Sequence, residues 1–341
     1  ITYTPDTPFS GTDSFTYQIC DGTTPTALCD TATATINVGG IGLYYVSLSS
    51  SATIPGIAGS VQDEDIIVYD PANGTWAMYF DASDMGITSS DLDAFHVRDD
   101  GSVLMSYSSA NFTVPGLVGG PLGEVVDDSD IFLFIPTSVG ENTSGGFSFY
   151  FDGSDVDLTT NGEDVDGLYE FVDGTLGIST SGSVTVGLLA GGGDEDVHLF
   201  TPTGTGANTT GTWSGPHFDG SDIGLIVSAD DVNAVSFDLN GLLIYSTAGL
   251  NSVPGTENEV LNRFSGTFGT NTAGVAVIEL DGSALGIPVT NSIDGHHAGT
   301  GGSSPLPGPP VANDDSANTP EDTPVVVDVA GNDTDPDGDL D

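Results

Sequence analysis

Short apolar segments of about four to eight residues recur along this chain between turns rich in Gly, Asp, Asn and Ser. Examples are IIVY at 66–69, IFLF at 131–134 and VHLF at 197–200. Segments this short that are rich in β-branched and aromatic residues favour strands over helices. The composition agrees, because the chain has 48 Gly, no Lys and only 10 Glu, so long helix formers are scarce. The pattern predicts an all-β protein.

The predicted strands belong to a sequence repeat of about 65 residues, present four times between residues 39 and 302. The first strand of each copy follows an acidic segment, at 63–65, 128–130, 194–196 and 257–259. The second strand runs into a motif of the type FDGSD, at 80–84, 151–155, 218–222 and 280–284. The third strand follows mostly acidic pairs, at 91–93, 164–166, 231–233 and 292–294. Four copies of one β-unit are therefore expected.

The third and fourth strands of a repeat are separated by an Asx-Gly dipeptide. These dipeptides are Asp100-Gly101, Asp173-Gly174 and Asn240-Gly241. They tolerate the positive φ that a two-residue hairpin needs, so the two strands are expected to pair directly. Four antiparallel strands per repeat form the blade of a propeller.

The last repeat has no predicted fourth strand after His297. A sequence of the fourth-strand type occurs instead near the start of the domain. The segment IGLYYVSLSSSATIPG at 41–56 matches DGSVLMSYSSANFTVPG at 100–116, which follows the first Asx-Gly turn. An N-terminal strand that completes the last blade would also hide free sheet edges. We predict a four-bladed, propeller-like repeat domain closed by this strand. An open solenoid and two packed sheets are the alternatives.

The two ends of the chain carry a different pattern. The chain begins with ITYTPDTPFSGTDSFTYQIC and ends with EDTPVVVDVAGNDTDPDGDLD. These segments resemble the closing and the opening strands of the cadherin-like tandem repeats of bacterial surface and adhesin proteins. The central Asp- and Gly-rich repeats are similar to those of large, uncharacterised bacterial surface proteins. The resemblance implies halves of a cadherin- or immunoglobulin-like sandwich at 1–38 and 311–341, around the repeat domain at 39–302 and a Pro-rich linker at 303–310.

Split sandwich halves leave two interpretations. Either the sequence is one period of a longer array, or the tail of one subunit completes the head of the next by strand addition. The second predicts a homopolymer, the structural subunit of an extracellular fibre or surface adhesin. Its assembly residues would be Val325, Val327 and Val329 in the tail, with Phe15, Tyr17, Ile19, Ile36 and Val38 in the head. The alternative function is a propeller that binds carbohydrate or another ligand, such as surface glycans, within a long calcium-stiffened surface protein.

The charge of the chain limits the classes of molecule that it can bind. Two Lys and Arg residues against 50 Asp and Glu residues give a formal net charge of −48. Nucleic acids and anionic membrane surfaces would be repelled, so neither is expected as a partner. The acids recur at fixed repeat positions, which favours a bound cation over a uniformly solvated surface.

Calcium is the expected cation, because carboxylates spaced two apart at strand starts and turns supply the oxygen ligands it prefers. The tail has the D-x-D-x-D-G spacing that opens a calcium loop, and the resemblance implies calcium there. The alternative is that these acids only form Asx turns and cap backbone amides. The candidate ligands are Asp333, Asp335, Asp337 and Asp339 in the tail, and Asp63, Asp65, Asp128, Asp130, Asp152, Asp155, Asp194, Asp196, Asp219 and Asp222 in the repeats.

The two cysteines and the sequons indicate an extracellular setting. Cys20 and Cys29 end two predicted strands that face each other, so a cross-strand disulfide worth about 2 to 3 kcal/mol is expected. Candidate N-glycosylation positions are Asn73, Asn111, Asn142, Asn208 and Asn332. No signal peptide or long apolar segment is visible, so we expect a soluble, mature part of a larger precursor with no membrane insertion.

Nothing in the sequence indicates an enzyme. His96 and His198 lie inside predicted strands, His217 precedes FDGSD, and His296 and His297 would point to opposite faces of a strand. No nucleophile elbow or zinc-binding helix motif accompanies them. We therefore expect no catalytic site.

Overall fold

The computed structural model describes residues 11–20, 29–38, 42–184, 192–238, 241–249 and 259–299, with the backbone alone for 11–38. Its described elements are strands and a few single-turn 3₁₀ helices. The strands are β1 (Gly11–Cys20), β2 (Cys29–Val38), β3 (Tyr44–Leu48), β4 (Ile66–Asp70), β5 (Thr75–Phe80), β6 (Ala94–Val97), β7 (Val103–Ser106), β8 (Phe112–Thr113), β9 (Val125–Val126), β10 (Ile131–Ser138), β11 (Ser144–Phe151), β12 (Val165–Glu170), β13 (Leu176–Thr180), β14 (Val197–Gly204), β15 (Thr210–Phe218), β16 (Val235–Phe237), β17 (Leu243–Tyr245), β18 (Val260–Thr267), β19 (Ala273–Asp281) and β20 (Ile293–Ala298). The prediction of an all-β protein is confirmed.

Four sheets of four antiparallel strands form a ring, which confirms the predicted four-bladed propeller. From the axis outward, blade 1 is β6-β7-β10-β11, blade 2 is β12-β13-β14-β15, blade 3 is β16-β17-β18-β19 and blade 4 is β20-β3-β4-β5. The inner strands β6, β12, β16 and β20 contact one another across the axis. Their N-terminal ends therefore meet at one end of that axis.

The blades are offset from the sequence repeat by two strands. The fourth strand of one repeat pairs with the first strand of the next, as β7 does with β10. A blade therefore combines the second half of one repeat with the first half of the following one, and the assignment of one repeat to one blade is wrong in its phase. The FDGSD segment between the second and third strands is the connection from one blade to the next.

Blade 4 closes the ring with strands from both ends of the domain. The segment expected to complete the last blade forms β3, which pairs with β20 on one side and with β4 on the other. Closure by the N-terminal segment is therefore confirmed. Blade 4 takes three strands from the N-terminal side and the single strand β20 from the C-terminal side.

The Asx-Gly turns connect the inner two strands of blades 1, 2 and 3, as predicted. The glycines adopt positive φ, at 78° for Gly101 and 83° for Gly174. The loop has three residues, not two, because the Arg98 N–H donates to the Ser102 carbonyl and the Gly101 N–H to the Arg98 carbonyl. This is the hairpin in which a type I turn is followed by a left-handed glycine.

The phenylalanine of the FDGSD motif packs between neighbouring blades. Phe80, Phe151 and Phe218 end the outer strands of three blades and are fully buried. Each meets a phenylalanine of the next blade edge to face, with ring centroids 4.9 Å apart for Phe80 and Phe134 and 5.3 Å apart for Phe151 and Phe200. Burying one such side chain contributes roughly 1.5 to 3 kcal/mol. The phenylalanine of the motif therefore has a structural role, as a packing contact between neighbouring blades.

The N-terminal strands β1 and β2 form a two-stranded antiparallel sheet. The register places Cys20 opposite Cys29, so the two facing strand ends are as predicted. Directly opposed residues have Cα atoms about 4.5 to 5.5 Å apart, which a disulfide can bridge, and the bond itself stays a prediction. Phe15, Tyr17 and Ile19 lie in β1, and Ile36 and Val38 lie in β2. The linker at 303–310, the tail strand with Val325, Val327 and Val329, the tail acids Asp333, Asp335, Asp337 and Asp339, and Asn332 lie outside the described residues.

Candidate functional site

The inner strands of the propeller begin with a ring of carboxyl and amide side chains. Asp93, Asp166, Asn233 and Asp294 stand at the same position of their respective repeats, at or just before β6, β12, β16 and β20. Because the four inner strands surround the axis, equivalent residues at their starts converge. The result is an axial ring of three carboxyl groups and one amide.

The tightest part of this ring lies where blade 4 meets blade 1. One carboxylate oxygen from each of Asp91, Asp93 and Asp294 lies within 4.8 Å of the others. The Asn233 Nδ2 donates to Asp294 Oδ1 at 3.4 Å, a long hydrogen bond. Asp294 is only 4% exposed and Asp166 only 5% exposed, so the ring lies largely out of solvent.

Close approach of the inner strands brings these groups together. A Cβ atom added to Gly295, the residue after Asp294, would lie 2.6 Å from both a Phe95 ring carbon and the Ser47 Oγ. No ordinary side chain fits at that separation. Glycine at this position therefore lets β20 approach its neighbours and places Asp294 beside the start of β6.

Further acids surround the ring on the same face. Asp164 and Asp231 stand at the repeat position of Asp91, two residues before the ring. The backbone carbonyls of the predicted metal ligands Asp63, Asp128 and Asp194 accept the N–H groups of Leu92, Val165 and Val232. These three acids therefore lie beside the axial ring, next to Asp91, Asp164 and Asp231.

The electrostatics of the ring are those of like charges held away from water. Burial raises the pKa of Asp93 to about 10, and the nearby carboxylates of Asp164, Asp91 and Asp294 add to the rise. Burial also raises the pKa of Asp164 to about 8 and that of Asp91 to about 7. For Asp166 and Asp294 burial raises the pKa well above its usual range. The charged form of the ring therefore needs a counter-charge.

The predicted ligands Asp65, Asp130 and Asp196 bind backbone amides instead of facing the axis. Asp65 accepts the Gln62 N–H at 2.8 Å and the Ala82 N–H at 3.0 Å. Asp130 and Asp196 make the equivalent pair of bonds in their own blades. Each carboxylate thus joins the start of one strand to the FDGSD loop. This is the structural role weighed against metal binding, and calcium at these residues stays a prediction.

The first acid of the FDGSD motif binds polar groups within the single-turn 3₁₀ helix that the motif begins. Asp152 accepts the Ser154 Oγ–H at 2.7 Å and the Asp155 N–H at 3.3 Å, and Asp219 accepts the Ser221 Oγ–H at 2.7 Å. Asp155 and Asp222 are exposed in the first helical turn. The structure does not bring these four residues to the axial ring.

The sequence predictions missed the ring itself as a ligand set. Asp91, Asp93, Asp164, Asp166 and Asp294 were recognised only as residues that precede the third strand. The signal that would have found them is an Asp-apolar-Asp spacing at one repeat position, directly before the strand that lines the propeller axis. Axial strands bring equivalent residues of all repeats to one place, whereas the other repeat positions stay apart.

The histidines and sequons lie where the sequence suggested. His96, His198, His296 and His297 are within strands and His217 lies near the end of β15. Burial lowers the pKa of His96 to about 3 and that of His198 to about 4. The candidate glycosylation residues Asn73, Asn111, Asn142 and Asn208 are all exposed.

Comparison with known protein families gives a match for the N-terminal segment. Residues 1–39 match the family described as Bacterial Ig domain. That match supports an immunoglobulin-like segment, while its cadherin-like character and the matching half at 311–341 stay predictions. A comparison with curated proteins gives no match.

Comparison with solved structures gives matches of low identity and low TM-score. A catalytically inactive virginiamycin B lyase from Staphylococcus aureus with quinupristin is 8% identical, with a TM-score of 0.27 over 77% of this chain and 59% of that one. A protein of unknown function from Bacteroides caccae is 10% identical, with a TM-score of 0.28 over 69% of this chain and 73% of that one. At these values the likeness carries no functional assignment.

Two findings bear on where the protein acts. The propeller fold and the likeness of residues 1–39 to bacterial Ig domains fit a surface or extracellular module. Among the described residues, no helix has the length and hydropathy required to cross a bilayer.

Proposed function

We propose that this chain is a structural subunit of an extracellular bacterial fibre or adhesin, in which the propeller is a rigid body and the terminal segments join neighbouring copies. The observation that carries the proposal is the sheet of β1 and β2. Its ten-residue strands pair along their whole length, yet the described sheet has only two strands. An immunoglobulin-like sandwich needs about seven strands, and an isolated hairpin is marginally stable in water.

The sheet needs further strands, and the proposed source is the tail, which resembles the opening strands of the same kind of sandwich. If the segment 325–329 forms a strand, Val325, Val327 and Val329 would share one face of it. Added to the edge of the β1–β2 sheet of a neighbouring copy, this strand would pair with the strand that carries Phe15, Tyr17 and Ile19, or with the strand that carries Ile36 and Val38. Backbone hydrogen bonds would hold the two copies together.

The proposal assigns the protein no catalytic role, and calcium at Asp333, Asp335, Asp337 and Asp339 would stiffen the joint between copies. Two features support a non-enzymatic module. The strand histidines pack in the interior, for example His96 against Tyr169 with ring centroids 4.8 Å apart. The Asp152 and Asp219 carboxylates of the FDGSD motif form hydrogen bonds within their own loops.

A pair of matched substitutions tests the assembly. Val327→Asp places a charge on the apolar face of the added strand, which the completed sandwich would bury, whereas Val326→Asp places the same charge on the opposite face. In electron micrographs and gel filtration of the oxidised chain, we expect wild type and Val326→Asp to form polymers and Val327→Asp to stay monomeric. A wild-type chain that stays monomeric and binds surface glycans would overturn the fibre and favour the ligand-binding propeller.

A further inference from the structure

The junction between blades 4 and 1 gathers carboxylates from both ends of the propeller domain. Asp294 lies in β20, the one strand that the C-terminal side contributes to blade 4. Asp91 and Asp93 directly precede β6, the inner strand of blade 1. One oxygen of each of the three side chains lies within 4.8 Å of the others. Groups far apart in sequence thus meet at a single point.

Several carboxylate oxygens at this junction lack a hydrogen-bond donor among the described residues. Asp294 is 4% exposed, and its Oδ2 accepts no hydrogen bond there. Asp91 Oδ1 is likewise buried without a partner, and neither oxygen of the neighbouring ring residue Asp166 accepts an N–H or hydroxyl group. Buried carboxylate oxygens are costly without donors or a cation. The chain has only two Arg residues, and both are ion-paired elsewhere, Arg98 with Glu170 and Arg263 with Glu279.

We propose that Asp91, Asp93 and Asp294 bind a calcium ion that fastens β20 to blade 1 and so locks the closure of the propeller. Calcium fits because all three groups offer hard oxygen atoms and because calcium accepts six to eight such ligands in flexible geometry. Water and backbone carbonyls would supply the remaining ligands. Mg²⁺ fits less well, because it demands near-ideal octahedral geometry.

The residue types at the ring positions differ from blade to blade. At the start of blade 3 the ring residue is Asn233, and at the start of β20 the position equivalent to Asp91 is Ser292. Blade 2 has the same residue types, Asp164 and Asp166, next to Asp93. Among the described residues, the group that comes within metal-ligand reach is nevertheless the one at the closing junction. The ion would therefore act beside β20, which joins the rest of blade 4 by strand pairing and not through a hairpin turn.

Calcium titrations of the full-length chain test this inference. Asp294→Asn and Asp93→Asn remove one proposed ligand each, and Asn233 shows that the ring already accommodates an amide. Asp155→Asn is the matched control, because it makes the same charge change at an exposed residue away from the axis. Asp164→Asn makes the change at the equivalent position of blade 2. Isothermal titration with CaCl₂ counts the sites, and thermal melts with CaCl₂ or EDTA report whether binding stabilises the propeller.

We expect the wild type, Asp155→Asn and Asp164→Asn to bind the same number of calcium ions. Asp294→Asn and Asp93→Asn should each lose one site or weaken it at least tenfold. In EDTA these two variants should melt no lower than the wild type, because they remove a like charge, and their melting temperature should gain less from calcium. Unchanged binding in both variants would overturn the inference. So would tighter binding of MgCl₂ than of CaCl₂, or an equal loss of the site in Asp164→Asn.

Discussion

Removal of Arg98 should destabilise the propeller far more than removal of Arg263, although both substitutions delete one positive charge. Arg98 follows β6 and forms a bidentate ion pair with Glu170 at the end of β12, with Nε and Nη2 at 2.6 Å and 2.7 Å from the carboxylate oxygens. Its guanidinium also lies 4.8 Å from the Tyr150 ring centroid, and the Tyr150 hydroxyl donates to Glu170 at 2.9 Å. This pair joins blades 1 and 2.

The magnitude follows from burial and geometry. The Arg98 and Glu170 side chains are 21% and 13% exposed, so Arg98→Leu leaves a mostly buried carboxylate without its cation. Removing one partner of a buried pair costs about 3 to 5 kcal/mol, and the partial exposure here favours the lower end. A loss of about 3 kcal/mol corresponds to a fall of roughly 6 to 12 °C in Tm for a domain of this size.

Arg263→Leu is the control. Arg263 reaches Glu279 at 3.4 Å, and its side chain is 40% exposed, although that of Glu279 is only 11% exposed. The longer contact from a more exposed cation stabilises its carboxylate less, so removal of Arg263 should cost about 1 kcal/mol. Urea unfolding of the two variants, followed by tryptophan fluorescence, measures both losses. Equal losses for the two variants, or a loss below about 1 kcal/mol for Arg98→Leu, would refute the reasoning that burial and bidentate geometry decide the effect.

Three further predictions concern packing, pH and redox state. Gly295→Ala should cost about 1 to 3 kcal/mol in urea melts because its Cβ would lie 2.6 Å from Phe95, whereas Gly146→Ala meets nothing within 4 Å and should change stability by less than about 0.5 kcal/mol; equal effects would contradict this. Burial lowers the pKa of His198 to about 4, so its contribution to stability is present above about pH 6.5 and is lost as the pH falls to 4. His198→Ile, which copies Ile67 of blade 4, should therefore gain up to about 3 kcal/mol over wild type between pH 7 and pH 4, and a constant difference would contradict it. Thiol labelling of the oxidised, denatured chain should find no free thiol before reduction and two afterwards, at Cys20 and Cys29, and labelling of both without reductant would exclude the disulfide.

Much of the fold could be predicted because strand length, turn chemistry and repeat period are local properties. The segment at 41–56 predicts the closing strand, because it resembles the fourth-strand sequence that the last repeat lacks. The phase of the blades could not be predicted in this way. Whether β7 pairs onward with β10 depends on which strand edge lies free after the hairpin forms, and that is decided by packing around the ring.

The axial ring was harder to predict because identical residue types serve different purposes. In the segment 63–65, Asp65 binds two backbone amides while Asp63 lies beside the ring. The Asp-apolar-Asp sequences at the starts of β6 and β12 are compatible with Asx turns as well as with metal ligands. Whether such an acid forms an Asx turn or faces the axis depends on the direction of the inner strands and on the close approach that Gly295 allows. The sequence pattern alone does not give either of these.

The central claim, a calcium site at the closing junction, is tested most directly by anomalous diffraction from crystals of the full-length chain grown with MnCl₂. Mn²⁺ shares the preference of Ca²⁺ for oxygen ligands and scatters anomalously. We predict an anomalous difference peak about 2.1 to 2.6 Å from carboxylate oxygens of Asp91, Asp93 and Asp294. Well-ordered side chains at these three residues with no peak between them would contradict the claim.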